Sequence, residues 1–95
     1  MPVFMIKRTF AEALHEDLRR ASDINAVNDE EDVRWIYSFI SKDRLRAFCL
    51  YEAESVDAIR RAAERSGLPV GDVVELTELL DPSGRFRPLG QTELV

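Results

Sequence analysis

The stretch WIYSFISKDRLRAFCLYEA, Trp35–Ala53, decides how this chain folds. Two apolar runs rich in aromatic and β-branched residues flank the polar tetrapeptide Ser41–Arg44, which predicts a hairpin built from VRWIYSFI and LRAFCLYE. A four-residue turn pairing Ile40 with Leu45 would place Val33, Trp35, Tyr37 and Phe39 on one face with Phe48 and Leu50. Arg34, Ile36, Ser38, Ile40, Leu45, Ala47, Cys49 and Tyr51 would share the other. Neither face is polar enough to stay wet, so both need cover.

Working outward, PVFMIKR at residues 2–8 is apolar and then abruptly polar, which suits a strand leaving the core. Thr9 and Glu12 have the spacing of a capping box, predicting a helix from Thr9 that fades near Asn25–Asn28. Phe10, Leu14, Leu18 and Ala21 would form its apolar stripe, and Glu12, His15, Glu16 and Arg19 its polar side. After the hairpin, Ser55 can cap a second helix, with Asp57 favourably placed in its first turn and Val56, Ile59, Ala62 and Ala63 as its buried stripe. Gly67 and Pro69 end it. DVVELTELL, residues 72–80, reads as one strand, and SGRFRPLGQTELV as an extended arm with a short edge strand at its end.

This βαββαβ order builds an α+β, ferredoxin-like sandwich, with one antiparallel sheet and both helices on the same face because the crossovers are right-handed. The expected division is a domain over residues 1–82 and a carboxyl-terminal extension over 83–95. No helix remains for the opposite sheet face. A large apolar face usually marks an interface, so two chains are expected to pair as a homodimeric α/β barrel. The alternative is that the arm crosses its own sheet, using Phe86, Leu89, Leu94 and Val95.

Composition limits the function. A chain of 95 residues is one domain, and 45% hydrophobic with 33% charged residues argues against both disorder and membrane insertion. A net charge of -5 and a pI near 4.8 oppose nucleic-acid binding. MPVFMIKRTF is apolar first and basic second, the reverse of a signal peptide, and the single Cys49 suits a reducing compartment. Both point to the cytoplasm.

VRWIYSFIS, CLYEAES, AAERSGLPVGDVVEL and LLDP, taken in this order, resemble the nickel-binding-protein-like family of small bacterial ferredoxin-fold proteins, a domain-of-unknown-function family. The resemblance covers about residues 3–82. It rests on a Trp-x-x-Ser strand, a Cys-x-Tyr-Glu-Ala strand end and a Gly-Leu-Pro helix end. It implies a dimeric ferredoxin-like fold, no established enzymatic activity, and a capacity to bind nickel or another divalent metal.

Nickel favours imidazole, thiolate and carboxylate ligands. His15, the only histidine, lies near Glu12 and Glu16, and the three form a candidate divalent-metal site; the bland reading is a solvated histidine among ordinary surface charges. Cys49 in mid-strand reads as a small hydrophobe more readily than as a nucleophile, since no base is placed beside it. The acidic run Asn28–Asp32 lacks the glycine and spaced ligands of a calcium loop. Two readings follow. One is a dimeric, non-enzymatic metal-binding protein; the other is a dimeric barrel enzyme or small-molecule binder with a pocket near Tyr37, Cys49 and Tyr51.

Overall fold

A computed structural model describes residues 1–89. The chain runs β1 (Val3–Thr9), α1 (Leu18–Glu30), β2 (Arg34–Ile40), β3 (Arg46–Glu52), α2 (Val56–Ser66), β4 (Val73–Leu76), β5 (Glu78–Leu80) and β6 (Phe86–Pro88). The first four strands other than β5 and β6 form one antiparallel sheet in the order β2-β3-β1-β4. This α+β arrangement, with two helices on one sheet face, is compatible with the expected ferredoxin-like sandwich.

Alternation along the central strands builds the core. Phe4 and Ile6 of β1 and Ala47, Cys49 and Tyr51 of β3 face the helices, where they meet Ala58, Ile59 and Ala62 of α2. Val27 of α1 and Trp35 of β2 pack against the same cluster. The second helix forms as the sequence predicts: the Ser55 hydroxyl accepts the Ala58 amide at 3.2 Å, and Gly67 takes the left-handed conformation at φ 68° that ends it. Glu31, just past α1, receives Arg61 and Arg65 of α2 and ties the two helices together.

Helix α1 begins eight residues later than the capping-box spacing suggests, because Thr9 is held in β1 opposite Arg46 and cannot cap. The Phe10 amide then donates to the Leu45 carbonyl at 2.8 Å and the Leu14 amide to that of Arg44 at 2.9 Å, so the connection runs along the tip of the hairpin. Asp17 is the cap, its carboxylate accepting the Arg20 amide at 2.9 Å. Leu18, expected in a buried stripe, is 90% exposed.

The hairpin register also differs: Ile40 pairs with Ala47, not Leu45. Ser41 and Asp43 set it, since the Asp43 carboxylate accepts the Leu45 amide at 3.0 Å and the Ser41 hydroxyl accepts the Arg46 amide at 3.0 Å. A two-residue slip preserves which side chains share a face. A bulge between Trp35 and Tyr37 does not, and it turns Trp35 to the helix side and Ile36 to the open side, the reverse of a regular strand.

Residues 72–80 are two strands rather than one, with Thr77 between β4 and β5. β5 pairs with β6 in a separate hairpin whose turn Asp81 organises, accepting the Ser83 and Arg85 amides. That turn contains the expected 82/83 boundary. On the open sheet face, Leu89 is buried with Val3 and Leu50, while Phe86 stays 68% exposed. Leu94 and Val95, also expected on the arm, lie outside the described residues.

Candidate functional site

Strand alternation carries one charged residue into the interior. After Phe4 and Ile6, the next helix-facing position of β1 is Arg8, and its side chain is buried with 4% exposure. One guanidinium nitrogen donates to the Pro69 carbonyl at 2.6 Å. The other reaches the Tyr51 hydroxyl at 3.4 Å, and the charge stands 5.7 Å from the Tyr51 ring centroid, within cation–π range. Burial pushes the Tyr51 phenol above its ordinary value, and the Arg8 charge opposes that shift.

Arg8 and Tyr51 line a pocket of about 150 Å³ between the sheet and α1. Trp35, Cys49, Phe10 and Ile24 supply much of the remaining wall, and Arg20 reaches it from the first turn of α1 while donating to the Ser66 carbonyl. A short polar chain stiffens one side: the Trp35 indole donates to the Ser38 hydroxyl at 2.9 Å, which donates to the Cys49 sulfur at 2.9 Å. A wider cleft of about 470 Å³ adjoins this pocket, sharing Leu14, Arg20, Ile24 and Trp35.

The pocket residues expected from the sequence are therefore split. Cys49 and Tyr51 share the wall just described, whereas Tyr37 points from the opposite sheet face and is 53% exposed. The bulge brings Trp35 in instead. Arg8 was not singled out in the sequence, although a strand alternating Phe4, Ile6, Arg8 was signal enough.

The candidate metal residues sit on the connection before α1 rather than on a helix. Glu12, His15 and Glu16 are exposed there, and His15 and Glu16 line the outer cleft with Asp17. No three of the histidine, cysteine, aspartate and glutamate side chains converge as a metal centre among the described residues. The donor types suit nickel, but among the described residues they do not form a preassembled centre. No helix among the described residues is long and apolar enough to cross a membrane.

The model of a family described as nickel responsive protein SCO4226-like matches residues 4–76. Among solved structures, the crystal structure of SCO4226 from Streptomyces coelicolor A3(2) superposes with a TM-score of 0.68 at 22% sequence identity, covering 78% of this chain and 94% of that one. At that identity the likeness shows the fold. No curated protein matches the chain.

Proposed function

Because the chain belongs to the nickel-responsive SCO4226-like family, we propose that it is a small, homodimeric, non-enzymatic cytoplasmic protein that takes up nickel or another divalent cation. The family match is the observation that carries this reading. The ion contacts His15, the one imidazole of the chain, at an exposed and incomplete site that Glu12 or Glu16 and water complete. Such a site is solvent-screened and of modest affinity, which suits reversible uptake better than storage.

Nickel titration of tag-free protein by calorimetry tests the reading. Saturable heat is expected, and His15→Ala should abolish most of it without changing the circular dichroism spectrum or the melting temperature, since His15 is exposed. Absence of heat at high micromolar nickel in the parent protein overturns the metal reading. Equal heat in the variant moves the ion away from His15.

A second reading, a small-molecule binder, is favoured by the apolar pocket at Arg8, Cys49 and Tyr51. It is independent of nickel.

A further inference from the structure

Among the described residues, every ion pair lies elsewhere: Arg34 with Glu52, Arg61 and Arg65 with the acids ending α1, and Arg87 with Asp81. Arg8 has none, although it is the most buried charge in the chain's described part. A guanidinium keeps its proton at any accessible pH, so burial cannot neutralise it. A carbonyl and a phenol satisfy two of its five N–H donors without offsetting its charge. Arg20, on the same wall, also lacks a carboxylate partner for its guanidinium among the described residues. Two arginines thus line one small pocket whose wall also includes Trp35, Phe10, Ile24 and Leu68, with Cys49 and Tyr51 beside them.

We propose that this pocket binds a small organic carboxylate with an apolar or aromatic body. This rests on the small-molecule reading above and names its ligand class. The anionic end meets Arg8 and Arg20, each able to donate paired N–H groups to a carboxylate. The body lies against the Trp35 and Phe10 side of the pocket. A free phosphate shares the charge but has nothing to place against those apolar walls, so the carboxylate is favoured. The wider cleft beside it, carrying Leu14 and Ile40, leaves room for the body to extend toward solvent.

Trp35 is the only tryptophan, so its fluorescence reports occupancy directly. Benzoate, benzamide and inorganic phosphate are each titrated into the full chain at constant ionic strength. Benzoate is expected to give a saturable change, and the neutral isostere benzamide and phosphate much weaker ones. Arg8→Met and Arg20→Gln should each weaken benzoate by about tenfold or more, the scale of one lost charge-assisted hydrogen bond. Arg20 is exposed, so its variant keeps the test alive if Arg8→Met fails to fold. Equal binding of benzoate and benzamide, or full benzoate affinity in Arg20→Gln, overturns the anion site and leaves the small-molecule reading standing. Tighter binding of phosphate than of benzoate overturns the ligand class. No saturable response to any probe overturns both.

Discussion

At the scale of single residues, the interior is organised by where one side chain or its absence is tolerated. Tyr51 carries a pH dependence whose sign follows from burial. Below about pH 10 the phenol is protonated in both folded and unfolded chains and contributes no slope. Above that value the unfolded chain releases the proton while the folded chain, with its raised value, resists. The unfolded state then binds fewer protons, and stability falls as pH rises. Denaturant melts of the parent and Tyr51→Phe should therefore run parallel up to about pH 10 and diverge beyond it, the parent losing stability faster. Parallel curves throughout would remove the phenol from the low-dielectric pocket. Gly71 is constrained differently. Its amide donates to the Lys7 carbonyl at 2.9 Å, and a Cβ there would stand 2.7 Å from that same oxygen. Backbone must shift to admit it, so Gly71→Ala should cost about 1–3 kcal/mol in denaturant melts and loosen the start of β4 against β1.

At the scale of elements, the two helices show what a sequence does and does not disclose. Helix α2 was legible because its signals are local: a serine cap, an apolar stripe at Val56, Ile59 and Ala62, and a glycine that alone takes φ 68° comfortably. Helix α1 was not legible at its start, because Thr9 offers as good a local cap as Asp17. The choice is made by a distant partner, the β3 strand that holds Thr9 opposite Arg46. The bulge at Trp35 is equally non-local, and it is what puts Trp35 in the pocket wall while Tyr37 stays on the opposite face. Hairpin faces survived the altered register because a two-residue slip keeps parity. A helix from Thr9 would put Glu12, His15 and Glu16 on one helix side; with Asp17 as the cap they fall on the exposed connection before α1. These assignments predict that Asp17→Ala lowers stability by about 1 kcal/mol, as loss of an N-cap does. Thr9→Ala should change it by less than about 0.5 kcal/mol, as at an ordinary surface position. The reverse order in thermal melts would restore the earlier helix start.

At the scale of the whole molecule, the apolar surface left partly open is the sheet face turned away from the helices. Leu89 covers only part of it, over Val3 and Leu50, and leaves Tyr37, Phe39 and Val74 each about half exposed. These side chains lie on β2 and β4, at the two edges of the sheet, so a broad apolar surface extends on both sides of the segment that carries Leu89. Pairing two such faces about a two-fold axis would bury them with no further element, and it is the basis of the homodimer proposed above. The two alternatives respond oppositely to a charge. In a monomer, Phe39→Asp sits at a half-exposed position and changes stability little, within about 0.5 kcal/mol. In a dimer it places an unpaired carboxylate in an apolar interface, at about 1–3 kcal/mol or more per protomer. The parent is therefore expected to elute at about twice its 10.9 kDa chain mass in light-scattering-coupled gel filtration. Its melting temperature should rise with protein concentration, because association stabilises only the folded chain. Phe39→Asp and Tyr37→Asp should elute as monomer or aggregate, while Leu18→Asp, at a far more exposed site on the helix side, stays dimeric. A parent that remains at its chain mass, melts at one temperature across a hundredfold dilution and tolerates Phe39→Asp would leave the open face to solvent and to Leu89.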